Sequence, residues 1–167
     1  DRDVQVLIFT GTGRAFSTGA DLKESGKRTK DQYRAYLTKL QKITREIIFF
    51  EKPTIAAING YALGSGYELA LACDIRIAAD TSIIGSPEAK VTSSVTGGAF
   101  KLLQDLIGYG KASELLFTAE NISGKEAEKI GLVNDVYDDF DSTYAAALEM
   151  ANTIAANPPL AVRGTKF

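Results

Sequence analysis

The sequence has no histidine and a single cysteine, and each absence excludes a class of function. Without histidine, the chain cannot build a Ser-His-Asp triad, a Cys-His dyad or a histidine-ligated metal site. The lone Cys73 excludes an internal disulfide and a cysteine-rich zinc site. Any acid–base catalysis must therefore use carboxylates, lysine or tyrosine, and we expect no metal.

Charge and hydropathy indicate which kinds of binding partner are expected. Lys and Arg number 19 against 21 Asp and Glu, so the net charge is −2, and this balance disfavours a nucleic-acid partner. No apolar run approaches the ~18 residues of a membrane span, so we expect no membrane partner. The first residues also lack the basic and then apolar pattern of a secretion signal, and we expect a cytoplasmic protein.

The length favours one domain, residues 1–167, with enough chain to build a hydrophobic core. Strand-forming residues begin almost at once. At the other end, the sequence stops just as a new helix starts after Pro158 and Pro159. We therefore expect a fragment of a longer protein.

Short apolar runs alternate with helical patterns along the chain, which predicts an α/β fold with mostly parallel strands. Strands are predicted over residues 4–10, 54–58, 75–79 and 132–136, and a short extended segment over 82–85. Helices are predicted over residues 31–50, 64–72, 97–107, 111–118, 124–130 and 141–156. Residues 11–30 have no sustained periodicity, so they are predicted to form a long loop of the kind that is often functional.

Two turns rich in small residues follow predicted strands, at residues 17–21 (STGAD) and 60–66 (GYALGSG). Neither region matches the dinucleotide-binding fingerprint, because the required third glycine is missing. Backbone N–H groups freed at two such turns could converge on an anion and form an oxyanion hole. The alternative is that both are simply close-packed turns.

Glu68 and Glu88 are candidates for an acid–base pair in a chain without histidine. Each also has a structural explanation. Ser65 and Glu68 have the spacing of a helix capping box, and Glu88 follows Pro87 in a common helix opening. Their position near a possible oxyanion hole favours the catalytic interpretation.

Four segments resemble signatures of the crotonase, or enoyl-CoA hydratase/isomerase, superfamily. They are residues 13–24 (GRAFSTGADLKE), 55–77 (IAAINGYALGSGYELALACDIRI), 85–90 (GSPEAK) and 123–133 (SGKEAEKIGLV). The resemblance spans nearly the whole chain in the right order. It implies a crotonase-like spiral of repeated ββα units with mostly parallel strands, and with the C-terminal helices partly missing.

The resemblance implies a role for each matching residue. Ala20 and Ser65 would donate backbone N–H groups to the thioester oxygen of an acyl-CoA, and Glu68 and Glu88 would be the two hydratase glutamates. The implied coenzyme A and substrate contacts are Arg14, Thr18, Ala20, Asp21, Leu22, Lys23 and Gly64. From the residues themselves, we interpret Asp21 as a structural cap or turn residue.

The implied function is an enoyl-CoA hydratase that adds water across the C2=C3 bond of a 2-enoyl-CoA. This reaction needs no metal or redox cofactor, and the resemblance implies a homotrimer or a hexamer made of two trimers. An enoyl-CoA delta-isomerase and a crotonase-type hydrolase are alternatives within the superfamily. A catalytically silent acyl-CoA-binding homologue is the alternative from another class, and the presence of both glutamates argues against it.

Two departures from the family pattern bear on the substrate and the reaction. Ser65 stands where the family usually has glycine. Residues 95–99 (VTGGA) replace the usual Pro-Gly-x-Gly-Gly run, which borders the acyl pocket in the family. Residues 23–30 (KESGKRTK) carry four basic residues and no apolar anchor, so we expect a mobile segment that coenzyme A would order.

Overall fold

Two four-stranded sheets form the framework of the protein. The structure, a computed structural model, describes residues 3–166, apart from the side chain of Leu22. The first sheet is parallel throughout and has the order β1 (Leu7–Thr10), β3 (Thr54–Ile58), β5 (Ile75–Ala79) and β8 (Asp135–Tyr137). The second has the order β2 (Ala15–Ser17), β4 (Tyr61–Leu63), β6 (Ile83–Gly85) and β7 (Asn121–Ser123), with only β7 antiparallel to its neighbour.

Helices follow the strands in a repeating order. They are α1 (Leu22–Ser25), α2 (Lys30–Ile48), α3 (Ser65–Ala72), a 3₁₀ helix (Pro87–Val91), α4 (Ala99–Ile107), α5 (Tyr109–Thr118), α6 (Gly124–Lys129), α7 (Phe140–Ala155) and α8 (Pro159–Lys166). Three times in succession the chain forms a strand of the first sheet, then a strand of the second, and then helix. The predicted spiral of ββα units is therefore confirmed.

Strand β3 shows why the central strands are largely apolar. Ala56 and Ile58 belong to the main core, whereas Ile55 and Ala57 belong to a second core that includes Ala147 of α7. Both faces of the first sheet are thus buried. A parallel strand covered on both sides is expected to lack the alternation of a half-exposed strand.

The predicted strand over residues 132–136 is present but starts three residues later, because β8 runs from Asp135 to Tyr137. The backbone N–H groups of Leu132 and Val133 instead donate to the carbonyl of Ala127 and close the turn after α6. Both side chains are buried in the main core. Their apolar character reflects core packing in a turn rather than pairing in a sheet.

The predicted loop over residues 11–30 is also wrong in part, because it contains β2 and α1. Strands β4 and β7 were not predicted either. Elements of three or four residues are too short to show a periodicity. The predicted helix boundaries agree with the observed ones within two residues. Among the described residues, no helix combines the length and apolar character needed to cross a membrane.

The parallel pairing of β2, β4 and β6 positions the candidate site. Ser17 of β2 is paired with Ala62 of β4, and Leu63 of β4 is paired with Gly85 of β6. These three strands run in the same direction, so their carboxyl ends lie along one edge of the sheet. The segments that follow them therefore start side by side.

Candidate active site

The two turns predicted to form an oxyanion hole lie in contact. A Cβ atom built on Gly19 would lie 3.1 Å from the backbone nitrogen of Ser65 and 3.0 Å from the carbonyl oxygen of Leu63. Gly64 has φ 56° and ψ −127°, and α3 begins at the next residue. The turn that carries Ala20 is therefore adjacent to the first N–H groups of α3.

Helix α3 sits directly on strand β2. A Cβ atom built on Gly66 would lie only 2.2 Å from the carbonyl oxygen of Ser17, so no larger residue fits there without moving the backbone. This close approach fixes the start of α3 against the end of β2. It holds the two turns in their mutual position.

Glu68 lies on α3 and is 2% exposed. Its Oε1 accepts hydrogen bonds from the backbone N–H groups of Thr96, at 3.0 Å, and Gly97, at 2.7 Å. The capping-box interpretation is wrong, because Gly64 is the N-cap of α3 and has no side chain to form one. Glu68 is instead a buried carboxylate held by the loop that precedes α4.

The groups around Glu68 shift its pKa in opposite directions. Burial is the largest effect and raises the pKa of Glu68 above its ordinary value. The N–H groups of Gly97 and Thr96 lower it, the negative charge of Glu88 raises it, and the N–H group of Ala99 lowers it. The net effect is a raised pKa, which favours a carboxylate that exchanges protons closer to neutral pH.

Glu88 reaches the same region from the neighbouring strand. It lies on the 3₁₀ helix that follows β6 and is partly buried. The hydroxyl group of Ser86 donates a hydrogen bond to its Oε2. Its Oε1 lies 3.0 Å from the position of a Cβ atom built on Gly64. The structure therefore brings Glu68, Glu88 and the Gly64–Ser65 turn together.

Hydrogen bonds from Ser86, Thr96 and Gly97 to the glutamates are among the contacts that the sequence did not predict. Two of them act through backbone N–H groups, which any non-proline residue supplies. The sequence feature that could have predicted these contacts is the change of the family's Pro-Gly-x-Gly-Gly run to VTGGA at residues 95–99. This chain has no proline there, so the N–H groups of both Thr96 and Gly97 are present.

Apart from Gly64, which lies on the second turn, the residues predicted to contact coenzyme A and substrate lie on or near the first turn. Arg14, Thr18 and Lys23 are exposed. Asp21 caps α1, because its Oδ1 accepts from the N–H groups of Lys23, at 2.8 Å, and Glu24, at 3.1 Å. The interpretation of Asp21 as a structural cap is thus confirmed. Leu22 begins α1, and its side chain lies outside the part of the chain that the structure describes.

The basic segment 23–30 has an anchor that the sequence analysis did not find. The guanidinium group of Arg28 lies over the ring of Tyr36, 4.0 Å from the centroid, and forms an ion pair with Glu24 at 2.9 Å. Arg28 lines an open groove between α1 and α2 together with Lys27 and Lys39. The expected mobility of the segment stays a prediction.

Gly97→Ala is expected to displace the carboxylate of Glu68. The new Cβ atom would lie 2.7 Å from Oε2 of Glu68 and 3.1 Å from Oγ1 of buried Thr44. We expect a destabilisation of about 1–3 kcal/mol from overpacking and a loss in kcat of about 100-fold from misplacement. Chemical denaturation measures the stability, and steady-state kinetics on a short 2-enoyl-CoA, the substrate class that the resemblance implies, measure kcat. Gly110→Ala, where nothing lies within 4 Å of the new atom, is the control; equal effects of both substitutions would contradict the prediction.

Glu68→Gln is expected to gain stability relative to the unchanged chain as pH rises. Because folding raises the pKa of Glu68, its ionisation favours the unfolded state. The cost is absent below the unfolded pKa and is complete above the folded one, so the difference in unfolding free energy should grow as pH rises from the ordinary glutamate pKa, about 4.3, towards the raised pKa of the folded state. Denaturant titrations across this range measure it. Glu128→Gln removes one charge at an exposed site and is the control; a difference that shrinks with rising pH would refute the stated cause.

Known proteins are similar to this chain in sequence and fold over their matching parts. The Bacillus subtilis protein YngF is 43% identical over 166 residues, which are 99% of this chain and 64% of that protein. The short-chain-enoyl-CoA hydratase of Clostridium acetobutylicum is 40% identical over 167 residues, again 99% of this chain and 64% of the relative. The chain thus spans about three-fifths of the length of these relatives.

A solved structure has the same fold. The crystal structure of an enoyl-CoA hydratase from Bacillus anthracis matches with a TM-score of 0.94 at 41% identity, over 97% of this chain and 63% of that chain. The sequence profile of the enoyl-CoA hydratase/isomerase family matches residues 1–166. The match covers the entire fold described above, and the chain belongs to the enoyl-CoA hydratase/isomerase family.

Proposed function

We propose that the protein is an enoyl-CoA hydratase, which adds water across the C2=C3 bond of a 2-enoyl-CoA thioester. The observation that carries the proposal is the convergence of two carboxylates on the turn that begins α3. Oε1 of Glu88 lies 3.0 Å from the position of a Cβ atom built on Gly64. Glu68 lies one turn further along α3. Two carboxylates beside the start of a helix, where the first N–H groups have no intrahelical partner, are the parts that hydration of a conjugated thioester needs.

In this proposal, the N–H groups of Ala20 and Ser65 hold the thioester oxygen. The contact between Gly19 and Ser65 supports the pairing, because it places the two turns side by side. Negative charge grows on the thioester oxygen as the enolate forms. Fixed N–H donors stabilise that charge, and one such donor is worth about 10²–10³ in kcat.

The glutamates divide the proton transfers between them. As the water oxygen attacks C3, an O–H bond breaks and Glu68 accepts the proton, while the C2=C3 electron pair moves toward the thioester and forms the enolate. Glu88, which is protonated at the start of the cycle in this proposal, then delivers its proton to C2 and is left ionised. Transfer of the proton from Glu68 to Glu88 through solvent restores the starting state. The raised pKa of Glu68 supports its role as a base that works near neutral pH.

The coenzyme A moiety is proposed to bind along the first turn and α1. The exposed side chains of Arg14 and Lys23 offer positive charge to its phosphates, while the backbone near Thr18, Asp21 and Leu22 meets the adenine. Gly64 lines the thioester end. The homotrimer or hexamer expected from the resemblance, the absence of a metal or redox cofactor and a cytoplasmic location remain predictions.

The proposal is tested with a panel of coenzyme A esters. 2-Enoyl-CoA esters of increasing chain length report hydration, and 3-enoyl-CoA esters report isomerisation. We expect loss of the conjugated absorbance of short 2-enoyl-CoA esters and formation of 3-hydroxyacyl-CoA. Turnover of the 3-enoyl-CoA esters alone would replace hydration with isomerisation as the function. Binding of the esters without turnover would indicate the silent acyl-CoA-binding homologue.

A further inference from the structure

Ser86 connects strand β6 to the 3₁₀ helix that carries Glu88. The residue has an extended backbone, with φ −124° and ψ 93°, and is 4% exposed. Its hydroxyl group donates to Oε2 of Glu88, two residues later. A buried hydroxyl group bonded to a partly exposed carboxylate restrains that carboxylate from the protein side.

The contact determines which carboxylate oxygen faces the site. Oε2 is bonded to Ser86, and Oε1 faces the Gly64 turn. The glutamate side chain has several rotatable bonds, so without this bond its carboxylate is free to adopt other rotamers.

The two glutamates are held by different means. Backbone N–H groups of Thr96 and Gly97 hold Glu68, and they remain present when side chains are changed. A side-chain hydroxyl group holds Glu88. A substitution at Ser86 therefore changes the orientation of the Glu88 carboxylate without removing the carboxylate itself.

We propose that Ser86 is a positioning residue that orients Glu88 for proton transfer at C2 of the substrate. The inference rests on the proposed function, since it assigns Ser86 a part in the same proton transfer. It predicts that Ser86 acts only through Glu88. Removing the hydroxyl group should then matter for kcat and much less for substrate binding.

The test compares Ser86→Ala, Ser86→Thr and Glu88→Gln, alone and as the Ser86→Ala/Glu88→Gln double variant. On crotonyl-CoA, we expect Ser86→Ala to lower kcat about 10- to 100-fold with KM nearly unchanged. Ser86→Thr restores the hydroxyl group and should recover most of the rate. In the Glu88→Gln background, Ser86→Ala should add little further loss, because the group that it positions can no longer transfer the proton.

Ser82→Ala is the matched control. Ser82 is also buried and lies just before β6, but its hydroxyl group donates to the carbonyl of Ile58, at 2.8 Å, and not to Glu88. We expect it to lose stability in thermal melts while keeping kcat. An unchanged kcat in Ser86→Ala, a Ser86→Thr variant no better than alanine, or fully additive losses with Glu88→Gln would each overturn the role of Ser86.

A second assay separates this inference from the proposed function. Exchange of the C2 hydrogens of butyryl-CoA with deuterium from solvent needs the base and the oxyanion hole but no added water. A chain that exchanges these hydrogens without hydrating crotonyl-CoA would refute hydration, and Ser86→Ala would still be expected to slow the exchange. A chain inactive in both assays would refute both.

Discussion

Replacing Glu88 with glutamine is expected to lower kcat for crotonyl-CoA hydration by about 10²–10⁴-fold or more. This range is the usual contribution of one acid–base group. Glutamine keeps the shape of the side chain, and its carbonyl oxygen still accepts the Ser86 hydrogen bond, but it cannot transfer a proton. KM should change little, because the carboxylate acts on the reacting atoms. Steady-state kinetics and a thermal melt of the purified variant measure the two expectations.

Glu68→Gln decides between hydration and isomerisation. In a hydratase, each glutamate carries one of the two proton transfers, so Glu68→Gln should lose kcat in the same range as Glu88→Gln. In an isomerase, one base carries a proton between two carbons, so Glu68→Gln should be mild. Glu128→Gln, at an exposed site on α6, is the control and should keep full activity. Full activity of Glu88→Gln would contradict any crotonase-type mechanism in this chain.

The second large effect is expected at Ser65, the first residue of α3. Ser65→Pro removes the proposed N–H donor, and the loss of one such donor reduces kcat by about 10²–10³. Proline is tolerated at the first position of a helix, where the N–H group has no intrahelical partner and φ already suits the ring. The fold should therefore survive while turnover is nearly lost.

Ser65→Gly is the informative partner of this variant. It keeps the N–H donor, removes only the hydroxymethyl group and restores the residue usual in the family, so most activity should remain. Both variants are compared by kcat on crotonyl-CoA and by thermal melts. If glycine is as inactive as proline, the hydroxyl group takes part and the assignment to the backbone is incomplete. If proline is active, Ser65 is no oxyanion donor.

The regular elements could be predicted because their periodicity is long enough to read. Helix α2 carries apolar residues at three- and four-residue steps. Strands β3 and β5 are largely apolar and mostly buried, with Arg76 as the charged residue in β5. Leu132 and Val133 look like a strand for the same reason, yet they form a turn. Burial explains their composition, whereas pairing depends on where the backbone hydrogen bonds go.

The candidate site could likewise be predicted only in part. Glu68 and Glu88 could be named because a carboxylate pair in a chain without histidine has a limited choice of roles. The contacts that hold them could not be inferred, since the N–H groups of Thr96 and Gly97 carry no residue signature. Ser86 was missed for another reason: a serine before proline reads as an ordinary helix start, and only its burial reveals the contact.

Hydration itself is tested most directly by incubating the chain with crotonyl-CoA in H₂¹⁸O and identifying the product by mass spectrometry. The proposal predicts 3-hydroxybutyryl-CoA with one ¹⁸O atom at C3, formed by the unchanged chain and lost in Glu88→Gln. Unreacted crotonyl-CoA, a shifted double bond without added oxygen, or ¹⁸O-labelled crotonic acid with free coenzyme A would contradict it.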